Sequence, residues 1–209
     1  MKARNARQSA PNAPVLSVHR LKDLDAIFDQ EVDAVIWSRQ TPPSVLSALK
    51  AAPAHEVESG RFCVPVSEVG GCVAGLFDAW GWRADQARNW LADDVEALAA
   101  QMAQILSVSH LLLRVELVRD DACRKFHRDT VRARLICTYS GPGTEFGVAD
   151  AGGQPRHVDT VPTGSPILLK GKLWPGAARP SIMHRSPPIA GAGASRLVVV
   201  LNEAPSNAP

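Results

Sequence analysis

From Val131 onward the chain is a series of short apolar runs cut apart by glycine and proline. VRARLICTYS (Val131 to Ser140) alternates and then meets the turn sequence GPG. HVDTV (His157 to Val161), SPILLKG (Ser165 to Gly171), IMHRS (Ile182 to Ser186) and RLVVVLN (Arg196 to Asn202) follow, each bounded by turn residues. Segments this short are strands rather than helices, and none can bury its apolar face alone. Many short strands with turns between them predict a β-barrel or a double-sheet jelly roll.

The N-terminal half has a different texture. Ser17 is a candidate N-cap for a short helix with Leu21, Leu24, Ile27 and Phe28 on its buried face. DAVIWSR (Asp33 to Arg39) reads as a strand. Pro42 and Pro43 suit a helix start, with Val45, Leu46 and Leu49 inward. Residues 60–75 are rich in Gly, Val and Cys and carry no clear period. A long helix is predicted from Arg83 to Leu106, with Trp90, Leu91, Val95, Leu98, Met102 and Leu106 on one stripe. SHLLLRVELVRD (Ser109 to Asp120) follows as a long strand. The expected class is therefore α+β, a single domain over residues 15–203. Its β core occupies residues 109–203, and the mainly helical residues 15–108 pack on it. Residues 1–14 and 204–209 read as disordered tails.

Bulk composition excludes several function classes. A formal charge of +2 and 5% aromatics give neither a nucleic-acid patch nor a base-stacking platform. No apolar run reaches the ~18 residues of a membrane span, and the polar N-terminus has no signal-peptide core. Cys63, Cys72, Cys123 and Cys137 have irregular spacings, which predicts buried or free thiols in a reducing cytoplasm. The expected partner is a small-molecule or protein substrate.

Three residues carry the strongest chemical signal. His127 and Asp129 lie two apart in FHRD, and His184 follows in MHRSPP. On an extended chain, residues two apart project to one side. Two imidazoles and one carboxylate on a single ion leave about half of an octahedral shell open, an arrangement suited to Fe(II) and tolerant of Mn(II), Ni(II) or Zn(II). His157 and Asp159 form a second His-x-Asp, but the interval to His184 is short for the strands that must intervene. On spacing alone, histidines bonded to their neighbours are the simpler reading.

Arg196 strengthens the metal reading, because a charge opening an apolar strand needs a partner or a wet cavity. If strand alternation continues from Asp129, then Val131, Ala133, Leu135, Cys137 and Tyr139 share its face, and Tyr139 can hydrogen-bond a bound acid. Arg132 and Arg134 then fall on the opposite face, solvated or paired with Glu145 or Asp121. Arg134, Thr138 and Lys170 are the candidates for substrate contact, with a rim position as the plainer role for Lys170.

Taken together, CRKFHRD, RLICTYSGPGTEF, LLKG, WPG, HRSPP and RLVVVLN resemble the bacterial domain of unknown function 1826 (DUF1826) family. DAVIWSR resembles its N-terminal strand, and the likeness runs from Val32 to Asn202. The order His-x-Asp, His, Arg resembles, more distantly, the 2-oxoglutarate/Fe(II) oxygenase superfamily. That resemblance implies a double-stranded β-helix core, cupin-like in its jelly-roll topology. It also implies iron on His127, Asp129 and His184, and 2-oxoglutarate anchored by Arg196 with Tyr139 as helper. Arg185 and the SPP after His184 depart from the superfamily pattern. A Zn(II) site without oxygenase activity, and a binding module with a degenerate site, are the competing readings.

Overall fold

The computed structural model describes residues 14–50, 60–121, 123–176 and 180–205. Most of the two expected tails lies outside these residues. The strands are β1 (Val15–Val18), β2 (Ala34–Trp37), β3 (Gly60–Pro65), β4 (His110–Val118), β5 (Ala133–Ser140), β6 (Glu145–Val148), β7 (Asp159–Thr160), β8 (Pro166–Lys170), β9 (Ile182–Arg185) and β10 (Arg196–Glu203). The α-helices are α1 (Pro43–Lys50), α2 (Val69–Ala79) and α3 (Asp85–Leu106).

The strands form two sheets. The larger has seven strands in the order β1-β2-β8-β5-β10-β4-β3, and the smaller has three in the order β7-β6-β9. β10 lies between β4 and β5, antiparallel to both, with Val199 opposite Val115 on one side and Cys137 on the other. Its unbroken apolar sequence follows from burial on both faces. Leu197, Val199 and Leu201 face the helices, while Val198 and Val200 face the small sheet.

The helix-side core joins the α3 stripe of Leu91, Val95, Leu98 and Met102 to Leu111, Leu113, Val115 and Leu135 of the sheet. Each of these side chains is essentially inaccessible, and each contributes roughly 1.5–3 kcal/mol by leaving water. The second core lies between the sheets, where Ile136, Ile167, Leu169, Val198 and Val200 meet Phe146, Ile182 and Val161. The molecule is thus layered helix, large sheet, small sheet, and the small sheet leaves the β3–β4 end of the large one open.

Several expectations change. The β structure is not confined to the C-terminal half, because β1, β2 and β3 all join the large sheet. Ser17 caps no helix. It sits in β1, which pairs in parallel with β2, and a 3-10 helix covers Leu21–Phe28 instead. Leu24 and Ile27 are buried as expected, but Phe28 is exposed and rests on Trp174 at 5.7 Å between ring centroids. The segment without a clear period resolves into β3 and α2. Among the described residues, no helix is long and apolar enough to cross a membrane.

Candidate metal centre

The FHRD segment runs alongside β9 at the edge of the small sheet. His127 and His184 exchange both backbone hydrogen bonds, N–H to O=C, at 3.0 and 3.1 Å. This pairing places their rings side by side, 4.6 Å between centroids. Asp129 is the next residue of the same parity, so its carboxylate turns toward both rings. After it the chain bends back under the loop that follows β8. Lys172 N–H donates to Asp129 O and Gly171 N–H to Arg132 O. Gly171 is required there, since a Cβ would overlap the Val131 carbonyl oxygen.

One nitrogen or oxygen donor from each of His127, Asp129 and His184 lies within 4.8 Å of the others. His184 Nε2 stands 3.1 Å from Asp129 Oδ2, and His127 Nε2 stands 3.5 Å from Oδ1. Oδ2 is buried and has no hydrogen-bond partner. His127 Nδ1 is 2.9 Å from the Lys125 carbonyl, which can only accept, so the proton sits on Nδ1 and the Nε2 lone pair faces the cluster. Three lone-pair donors with an orphaned buried oxygen fit a divalent cation.

The electrostatics favour the donor form of Asp129 and His184, while Asp129 favours the protonated form of His127. Burial alone would raise the Asp129 pKa, but contacts with His127 and His184 and the Arg134 charge hold it well below the usual carboxylate range. The nearby carboxylate raises His127, partly offset by burial. Burial lowers His184, against the pull of Asp129, and so favours the neutral, metal-binding imidazole.

Arg196 lines the same cleft as His127 and His184. It is 1% exposed. Its guanidinium donates to Pro142 O at 2.6 Å, Ser186 Oγ at 2.7 Å, Thr138 Oγ1 at 3.0 Å and Thr144 Oγ1 at 3.3 Å. All four acceptors are neutral. Among the described residues no carboxylate comes within ion-pair distance, and burial pushes its pKa down to about 10 against the weaker pull of Glu145. Gly141, at φ +80°, turns the chain so that Pro142 presents its carbonyl to Arg196, and a Cβ there would overlap the Ser195 carbonyl. The HRSPP segment thus supplies His184 as a donor and Ser186 as an Arg196 partner. Arg185 instead pairs with Glu145 at 2.6 Å and lies over the Phe126 ring.

Other candidates are placed elsewhere. Tyr139 points to the helix face, where its hydroxyl donates to Asp94 Oδ2 at 2.5 Å. The apolar residues expected to share the Asp129 face, Ala133, Leu135 and Cys137, lie there with it. Strand geometry begins only at Ala133, and the bend over Thr130–Arg132 shifts the alternation by one. The cleft face therefore carries Arg134, Ile136 and Thr138. Arg134 pairs with neither Glu145 nor Asp121 but with Asp129 Oδ1, at 2.7 Å. Arg132 pairs with Glu203. Lys170 shares the helix face with Leu168. It donates to Asp29 O at 2.8 Å and lines a separate cleft with Trp174. His157 and Asp159 meet at 3.2 Å but are mostly exposed and apart from the centre. The sequence reading missed Ser186 and Thr144 around Arg196, and Arg114 and Glu116 on the cleft floor. Alternation within β4 was the available signal, since Arg114 and Glu116 interrupt an otherwise apolar strand.

The family profile described as Protein of unknown function (DUF1826) matches residues 19–202. The chain belongs to this family. No curated protein matches this DUF1826 chain in sequence. Among solved structures it is similar to dioxygenase for auxin oxidation 1 from Arabidopsis thaliana, solved with 2-oxoglutarate. The TM-score is 0.54 at 11% identity, covering 93% of this chain and 94% of that one. It is also similar to JOX2 in complex with 2OG, Fe and JA, with a TM-score of 0.51 at 12% identity over 94% and 76% of the two chains. At this identity the likeness establishes a fold shared with these two proteins.

Proposed function

We propose that this DUF1826 protein is an Fe(II)-dependent oxygenase that takes 2-oxoglutarate as co-substrate. The observation that carries the reading is the clustering of the His127, Asp129 and His184 donors, with both histidines lining one cleft beside a buried arginine that has no carboxylate partner among the described residues. Among metals that accept this donor set, Fe(II) with 2-oxoglutarate would activate dioxygen, the oxidant needed to break a substrate C–H bond. The jelly-roll core that the sequence suggested for the C-terminal half belongs to the same reading, with β1–β3 extending its larger sheet.

The residues have separable tasks. His127 presents Nε2 because Lys125 O holds the proton on Nδ1. Arg134 orients Asp129 through Oδ1 and leaves Oδ2 for the ion. Arg196 accepts the far carboxylate of the dicarboxylate through its planar fork. Thr138 and Thr144 hold its Nη2 arm. Ile136, Val198 and Val200 make the cleft wall apolar, which excludes water from the reacting centre.

The test is direct. Metal-free protein receives Fe(II) without oxygen, then 2-oxoglutarate, and succinate is measured after exposure to air. One equivalent of Fe(II) and succinate release are expected from the wild type, and neither from His184→Ala. Tight iron binding by His184→Ala would overturn the assignment. Zinc bound at one equivalent, with no succinate from the iron-loaded protein, would favour a zinc site instead.

A further inference from the structure

The cleft face of the large sheet carries three arginines, Arg61 on β3 and Arg114 on β4 at its open end, and Arg134 on β5, beyond the intervening β10. Arg61 and Arg114 stand directly opposite one another across the β3–β4 pair. Like charges at opposed positions of a sheet destabilise it. Such a local conflict persists where a function compensates for it. Arg61 is exposed and makes no ion pair among the described residues. Arg114 has Glu116 two residues on, its Nε 3.0 Å from Oε1. Arg134 has Asp129, and its own Nε is buried without a hydrogen-bond partner.

These groups are one surface. Arg134 lies on the ridge between two clefts. One is lined by His127, His184 and Arg114, and the other by Arg61 and Asn202. Arg114 lines the first cleft together with Arg134, and Arg61 lines the second together with it. Three guanidiniums thus face two carboxylates, Glu116 and Asp129. A divalent ion on Asp129 makes the excess of positive charge larger still. A dicarboxylate at Arg196 neutralises the deep end of the cleft but does not reach the β3–β4 end, where Arg61 remains uncompensated.

We propose that Arg61, Arg114 and Arg134 form a second anion site, which holds a carboxylate or phosphate group of the primary substrate beside the metal centre. Arg114 and Arg134 fix the oxyanion through charge-assisted hydrogen bonds. Arg61, at the exposed edge, draws the anion in, so binding weakens with ionic strength. The substrate bond to be oxidised then lies between this anion and the metal donors. The substrate is a small organic acid or phosphate ester. Its identification as substrate rests on the oxygenase reading, whereas the anion site stands on the arginines alone.

The test uses benzoate and phenyl phosphate as probes and benzamide as the uncharged control, titrated by calorimetry in the presence of saturating 2-oxoglutarate. Titrations run both with and without Mn(II). Wild-type protein is expected to bind one of the two anions at least tenfold more tightly than benzamide. The stronger of the two identifies the group as carboxylate or phosphate. Arg61→Gln/Arg114→Gln should lose at least tenfold of that affinity and leave benzamide unchanged. Equal affinity for anions and benzamide in the wild type, or equal anion affinity in the double variant, overturns the anion site. Mn(II) stoichiometry, read by electron paramagnetic resonance on the same samples, reports separately on the metal centre. Failure to bind Mn(II) would count against the oxygenase reading, and the metal-free titrations would still decide the anion site.

Discussion

Asp94 is the residue on which the helix layer and the large sheet are joined electrostatically. It projects from α3 and receives both terminal nitrogens of Arg39, one of them at 2.6 Å, and the Tyr139 hydroxyl at 2.5 Å. The Arg39 and Asp94 side chains are each 10% exposed. Burial opposes the Arg39 charge, but Asp94 outweighs it and holds the guanidinium protonated beyond its usual range. Removing one partner of such a pair leaves an uncovered buried charge, which costs about 3–5 kcal/mol. Asp94→Asn keeps the side chain's size and one acceptor oxygen, so the lower end applies, about 3 kcal/mol. With a urea slope of about 2 kcal/mol/M, the midpoint should fall by about 1.5 M. Trp37 and Trp90 flank the Arg39 guanidinium at 4.3 and 5.8 Å, so tryptophan fluorescence reports on this region directly. Tyr139→Phe loses only a hydrogen bond to a charged acceptor and should cost about 1.5–3 kcal/mol. Replacing the set with apolar residues (Arg39→Met, Asp94→Leu, Tyr139→Phe) should cost less than Asp94→Asn alone, because no charge is left uncovered. A midpoint shift under about 0.5 M for Asp94→Asn would show that the pair is solvated in the folded protein and refute the argument.

Two further outcomes follow from buried and charged groups elsewhere. The folded state holds the Asp129 pKa below its unfolded value, so the stabilisation is complete above the unfolded carboxylate pKa of about 4 and is lost as pH falls below it. In metal-free protein, the stability gap between wild type and Asp129→Asn should narrow between pH 7 and pH 3, and a constant gap in urea titrations would contradict this. Among the four thiols, Cys63 and Cys123 are exposed and should react with a thiol reagent at pH 8, whereas burial pushes Cys137 up to about 12. Cys137 should label only on unfolding, and fast labelling of a Cys63/Cys123-free variant at that position would overturn its placement in the core.

The clustering of His127, Asp129 and His184 was legible because their geometry is local. A spacing of two on extended chain needs no knowledge of the rest of the fold, and His184 had only to arrive on an adjacent strand. Arg196 was legible for a related reason, as a charge at the head of an apolar strand. Tyr139 and Arg134 were misassigned by one count, because alternation was carried through the Thr130–Arg132 bend as if it were strand. Lys170 was read from LLKG alone, and its face is set by pairing with Ala133, which the sequence does not display. Ser17 read as a helix cap because parallel pairing of β1 with β2 leaves no local mark. The Arg39–Asp94–Tyr139 network was invisible for the same reason. Its members sit on three elements that only the folded sheet brings together, and each looks alone like an ordinary surface charge or core aromatic.

β5 separates the helix-side core from the cleft. Leu135, Cys137 and Tyr139 face α3 and tie the helix layer to the sheet. Arg134, Ile136 and Thr138 face the cleft and touch Asp129, the apolar wall and Arg196 in turn. One strand thus presents its core to one side and its chemistry to the other, with alternate residues as the boundary. Substitutions on the two faces should therefore have different signatures. Asp94→Asn and Tyr139→Phe should lower the unfolding midpoint while folded protein still binds metal at full stoichiometry. Arg134→Gln should change metal affinity, because Asp129 loses the partner that fixes its Oδ1. The reverse pattern would mean that the sheet transmits strain from the helix face to the cleft, and that the two faces of β5 are not independent.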